Sequence, residues 1–171
     1  MVSAYYHFLF PSSDKPGFLV KEWRSRLPFS DYENIQANLA TFIEHMFSQF
    51  KVSGKSINWK SHYKSFEDKE DVLFLRYEDL LSDPGVELKK TLKHLRVAEV
   101  SNESIELAVD SYDFKTLARR SRGEENNYSF LRKGVTGDWK NTFNSKSCET
   151  FNRLAGDVLI KLGYEQDHNW Y

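Results

Sequence analysis

Asp71-Val72-Leu73-Phe74-Leu75-Arg76 is the stretch that most constrains the fold. Four apolar residues in a row, closed by charges at both ends, suit a short strand buried on both faces, as in a parallel sheet. Most of the remaining chain repeats at helical spacing instead. Ile35, Leu39, Phe42, Ile43, Met46, Phe47 and Phe50 mark one face of a helix from Ser30 to Phe50, behind a capping-box pattern at Ser30 and Glu33. Asp83 and Pro84 read as N-cap and first residue of a helix that buries Leu88, Leu92 and Leu95. Ser101 to Val109 gives a further short helix. Ser147 to Leu162 aligns Phe151, Leu154, Ala155, Val158, Leu159 and Leu162, and stops at Gly163. Met1 to Phe10 reads as a helix end. Pro11 to Pro28 reads as an irregular connector, with a turn at Pro16-Gly17 and a short helix over Lys21 to Arg26. Trp59 to Phe66 starts another helix. The expected class is α/β, mostly α-helical within this chain, with one clear strand.

At 171 residues the chain is one domain at most. Its single cysteine, Cys148, excludes an internal disulfide and points to a reducing, cytoplasmic setting. No apolar run approaches the ~20 residues of a membrane span, and Met1 to Phe10 lacks the basic leader of a signal peptide. A net charge of −1 gives no global attraction to nucleic acid. His7, His45, His62, His94 and His168 show no paired ligand spacing, so no metal is expected. Charge is uneven locally. Lys115 to Lys140 holds seven cations against three acids, which suits a small polyanion.

Leu131 to Asn141 concentrates that chemistry: Arg132 and Lys133, then Gly134, Gly137, Asp138, Trp139 and Lys140. A guanidinium grips a phosphate with two parallel hydrogen bonds, and Gly134 lets a backbone N–H approach the same anion. A bare Arg-Lys-Gly is more readily a solvated basic turn. Ser53-Gly54-Lys55-Ser56 looks like the tail of a Walker A loop, but Gln49 stands where that loop needs glycine, and it reads as a turn.

The full string resembles the 3′-phosphate-binding signature of the sulfotransferases that use 3′-phosphoadenosine 5′-phosphosulfate (PAPS), written R-K-G-x-x-G-D-W-K. All seven fixed positions match, from Arg132 to Lys140. Other segments extend the resemblance. Val2-Ser3-Ala4-Tyr5-Tyr6-His7 is similar to the family's V-S-x-Y-Y-H. Trp59 and His62 resemble G-x-W-x-x-H, with Ile57 in place of the glycine. Tyr77-Glu78-Asp79-Leu80 resembles the Y-E-D-L segment at a strand's carboxyl end. Phe114 fits the small hydroxyl-x-Phe element, although Tyr112 stands where Ser or Thr is usual. Gly163-Tyr164-Glu165 and Trp170 resemble the family's ending.

The resemblance implies a P-loop-type, three-layer sulfotransferase domain, with residues 1–171 as its C-terminal portion. No segment matches the family's N-terminal phosphate loop with its lysine, or its catalytic histidine. The implied reaction moves the sulfuryl group of PAPS to a hydroxyl or amine of a small acceptor. Arg132, Lys133 and Gly134 would hold the 3′-phosphate with help from Ser3, and Tyr77 and Phe114 would border the adenine. Tyr77 alone is equally a tyrosine packed beneath a sheet. Trp139 would buttress the loop, and Arg119 to Tyr128 would be a mobile polar loop leading into it. No catalytic residue is assigned, and no metal. The family's dimer motif, K-x-x-x-T-V-x-x-x-E, keeps Lys140 and Glu149 but has Asn144 and Ser145 at its Thr-Val pair, so a homodimer is not assumed. The rival readings are a nucleotide-binding remnant without turnover and an inactive fragment. With one strand and nothing to pair it, the chain is expected to be mostly helical, inactive and poorly stable alone, since each buried unsatisfied group costs ~1–3 kcal/mol.

Overall fold

A computed structural model describes every residue except 13, 14, 49, 50, 53, 54 and 57, and the backbone alone of 51, 52, 55 and 56. In chain order the elements are α1 (Val2–Leu9), α2 (Gly17–Arg26), α3 (Ile35–Ser48), β1 (Lys51–Val52), β2 (Lys55–Ser56), α4 (Trp59–Lys64), α5 (Tyr77–Ser82), α6 (Pro84–His94), α7 (Asn102–Ser111), α8 (Phe114–Ala118), a 3-10 turn (Asp138–Asn141) and α9 (Ser145–Lys161). The chain divides into two compact units, one of Met1–Lys69 with Asp138–Tyr171, the other of Glu70–Gly137.

The first unit is a helical core. α3 buries Ile35, Leu39, Phe42, Ile43 and Phe47 of the predicted stripe, half-buries Met46, and packs along α9 and against α1. Each such side chain contributes ~1.5–3 kcal/mol by leaving water. α1 adds Val2, Tyr5 and Leu9, and α2 adds Val20 and Trp23. Tyr5 is fully buried, and its hydroxyl remains satisfied: it donates to the Tyr32 carbonyl at 2.9 Å and accepts from Asn38 Nδ2 at 2.9 Å.

Three starts differ from the sequence reading. Pro16-Gly17 opens α2 rather than making a turn, because proline's fixed φ of −60° suits a helix entry. α3 begins at Ile35, with Asn34 Oδ1 accepting from Ala37 N at 3.2 Å, so Asn34 does the capping expected of Ser30. α9 begins at Ser145 because Asn144 Oδ1 accepts from Ser147 N at 3.0 Å, while Asn144 Nδ2 donates to the Gln36 carbonyl at 2.9 Å. The Asn-Ser pair that breaks the dimer motif is therefore a helix start. Trp139 packs edge-on against Phe143 and Trp170, with ring centroids 5.5 Å apart in each case. The end of the Phe50 stripe, the turn at Ser53-Gly54 and the Ile57 replacement lie outside the described residues.

In the second unit the predicted strand is absent. Residues 72–76 form an irregular segment without a ladder, and among the described residues the only sheet is the antiparallel pair β1–β2, with Lys51 opposite Ser56 and Val52 opposite Lys55. Phe74 is 47% exposed. A run of apolar residues becomes a strand only when a neighbour takes its N–H and C=O groups, and no described residue supplies that ladder. The helices fare better. Asp83 Oδ1 accepts from Val86 N at 2.9 Å with Pro84 at the first position, as expected of that pair. Ser101 caps α7 by accepting from Ser104 N. On α6 the buried residue is Glu87, whereas Leu95, expected in the core, is exposed.

Candidate functional site

α8 is short, and both of its ends are set by single residues. Asp113 caps it by accepting from Lys115 N at 2.8 Å. That backbone bond, then the Arg122 guanidinium 2.7 Å away, holds the Asp113 carboxyl below the usual aspartate range. Arg119 ends the helix in the left-handed region, at φ 53°. The chain then turns back toward its own signature.

The polar loop after α8 is folded onto residues 131–133. Gly123 N donates to the Lys133 carbonyl at 2.8 Å, and Asn126 N donates to the Arg132 carbonyl at 2.9 Å. Arg120 fastens the same junction. Its guanidinium donates to the carbonyls of Glu124, Leu131 and Arg132, the last at 2.9 Å, and lies 5.3 Å from the centre of the Phe114 ring. Arg122 donates to the Leu81 carbonyl at 3.2 Å, which ties the end of α5 to this loop.

Gly134 sits against Phe114. A Cβ added to it would lie 2.5 Å from Phe114 Cδ2, and its φ is +65°. Only a residue without a side chain meets both conditions. Phe114 is 9% exposed. It is mainly the wall on which the glycine rests.

Arg132 and Lys133 converge on one carboxylate. Arg132 Nη1 is 2.6 Å from Glu125 Oε1, and Lys133 Nζ is 3.4 Å from Glu125 Oε2. Two cations and two oxygens of one group make an anion cradle already filled by a tethered anion. A phosphate oxygen has the same charge and bonding habits as the carboxylate oxygen it would replace. The residue set therefore fits a phosphate.

Of the residues expected at the site, Phe114, Arg132, Lys133 and Gly134 are brought together. Tyr77 belongs to the same unit, is the first residue of α5, and is 53% exposed. Ser3 is an exposed residue of α1 in the first unit. Arg120 and Glu125 were missed as individuals. Their only trace in the sequence is that they lie within the cation-rich Lys115–Lys140 stretch. Among the described residues no group of three or more His, Cys, Asp or Glu is placed to hold a metal ion, and no helix is long and apolar enough to cross a membrane.

A glycine-and-cation loop closed over a carboxylate, on a mostly helical framework, is an anion-accepting arrangement. The model of the sulfotransferase domain matches residues 1–163, and the chain belongs to that family. It is 33% identical to mouse sulfotransferase 1A1 over 125 residues, which is 66% of this chain and 42% of that protein. It is 30% identical to human sulfotransferase 1C2 over 125 residues, 65% of this chain and 42% of that protein. The chain thus spans less than half the length of these relatives. A mouse sulfotransferase crystallised with PAP is similar over 77% of this chain and 58% of its own, at 20% identity and a TM-score of 0.49.

Proposed function

We propose that the chain supplies the 3′-phosphate and adenine part of the donor site in a PAPS-dependent sulfotransferase, as the C-terminal portion of one domain. The reaction would transfer a sulfuryl group to a hydroxyl or amine of a small acceptor, in the cytoplasm. PAPS, when bound, supplies an activated sulfuryl group on a phosphate leaving group. This chain's part is binding and orientation. Arg132 and Lys133 hold the charge of the 3′-phosphate, and Gly134 offers its backbone N–H. Phe114 and Tyr77 border the base. Arg120 keeps the loop in shape through its carbonyl contacts. No residue here is given a catalytic role.

The observation that carries this reading is the Glu125 carboxylate spanning Arg132 and Lys133, a contact that supports reading the pair as an anion cradle. The test is calorimetry of residues 1–171 with 3′-phosphoadenosine 5′-phosphate (PAP) and with adenosine 5′-monophosphate. PAP should bind more tightly by tenfold or more, roughly the worth of a charge-assisted hydrogen bond. Equal affinities would remove the 3′-phosphate assignment. Binding of PAP with no turnover of labelled PAPS against phenols, alcohols and amines would favour a nucleotide-binding remnant.

A further inference from the structure

We infer that Glu125 is an affinity-setting residue of the donor site: a built-in anion that the 3′-phosphate must displace before Arg132 and Lys133 can hold it. The inference rests on reading Arg132–Gly134 as the 3′-phosphate site, and goes beyond it by assigning a role to an acidic residue seven positions earlier in the chain.

Three observations support it. The Arg132 side chain is 7% exposed and that of Glu125 35%, so the carboxylate is the more accessible member of the pair. Glu125 reaches both cations with separate oxygens, at 2.6 and 3.4 Å, which is the arrangement a phosphate would need. The loop around Glu125 is held by backbone bonds from Gly123 and Asn126 that do not involve its carboxylate. Rotation of one side chain therefore takes this carboxylate off both cations without breaking those backbone bonds.

The competition has a defined outcome. A tethered carboxylate acts at an effective concentration of millimolar or above, so it excludes weak, singly charged anions. A phosphate monoester carries about −1.5 to −2 charge and three strong acceptor oxygens, against one charge and two oxygens for the carboxylate. The 3′-phosphate wins that exchange, at a cost in affinity. Glu125 thereby makes the site selective for a dianion while weakening it overall.

The experiment is calorimetry on the 171-residue chain with PAP and adenosine 5′-monophosphate, for wild type, Glu125→Gln and Arg132→Ala. Glu125→Gln should tighten PAP about tenfold, roughly the lower end for a charge-assisted hydrogen bond no longer broken. It should leave adenosine 5′-monophosphate unchanged, since that ligand lacks the 3′ group. Arg132→Ala should weaken PAP selectively. If it does so while Glu125→Gln leaves PAP unchanged or weaker, Glu125 only positions Arg132, and the displacement is wrong while the site stands. If Arg132→Ala has no effect, or no variant binds PAP, the site reading fails and this inference with it. A measurement on wild type needs no variant to fold. The carbon-13 resonance of the Glu125 carboxylate should shift when PAP saturates the chain, and an unmoved signal overturns the displacement.

Discussion

Gly134 rests on Phe114 so closely that a Cβ on the glycine would lie 2.5 Å from ring atom Cδ2. The two residues are far apart in sequence, at the start of a five-residue helix and in the middle of a loop. Their contact sets where the backbone N–H of Gly134 sits beside Arg132 and Lys133.

Gly134→Ala should destabilise the chain by about 2–5 kcal/mol, because a left-handed backbone costs a residue with a Cβ ~1–2 kcal/mol and overpacking adds ~1–3 kcal/mol. Combining it with Phe114→Leu should recover part of the loss. Denaturant titration of both single variants and the pair measures this. Strictly additive losses would mean that the two side chains do not share a contact.

Arg120→Ala should loosen the loop that presents Arg132. The readout is amide hydrogen exchange at Gly123 and Asn126, whose N–H groups bond the carbonyls of Lys133 and Arg132. Both should lose protection, and PAP affinity should fall. Arg120→Lys should not restore either, because an ammonium cannot reproduce a fork that also lies over an aromatic ring. Unchanged protection in Arg120→Ala would show that the guanidinium contacts carry no load.

Acid should weaken the start of α8. The Asp113 carboxyl is depressed by the Lys115 backbone bond and then by Arg122. Its stabilising contribution is complete above the ordinary aspartate value of 3.8 and is lost as pH falls from there through the depressed folded value, because the unfolded chain takes the proton first. Asp113→Asn keeps the cap and removes the titration. Melting curves from pH 6 to about pH 2 should therefore be flatter for the variant over the acid end. Parallel curves would contradict the assignment.

Gly156→Ala should destabilise even though alanine is the better helix former by ~1 kcal/mol. A Cβ there would lie 2.2 Å from Asn152 Oδ1 and 2.8 Å from His168 Nδ1. Asn152 holds the tail, donating to the His168 carbonyl at 2.8 Å and accepting from Trp170 Nε1 at 3.1 Å. A loss of about 1–3 kcal/mol on thermal unfolding is expected from overpacking. A gain in stability would show that the tail does not pack on α9.

The chemistry that was readable from sequence has cause and effect within a turn of each other. Asp83 and Pro84 start α6, and five residues of the α3 stripe are buried, because capping and helical periodicity act over three or four residues. The misread starts of α2, α3 and α9 are also local: Pro16, Asn34 and Asn144 take those entries. That Arg132, Lys133 and Gly134 belong together was legible because they are neighbours in one cation-rich string, and the full string rather than the three residues set them apart from a basic turn.

The sequence by itself determined that most of the chain is helical, the buried face of α3 and the cap of α6. Tertiary structure alone decided whether residues 72–76 form a strand, since a ladder needs a neighbour that no local pattern encodes. It alone decided that Arg120 clasps the Leu131 carbonyl, that Glu125 covers Arg132 and that Phe114 underlies Gly134. Each of these joins residues brought together by a reversal of the chain, and periodicity carries no information about which groups such a reversal places within bonding distance.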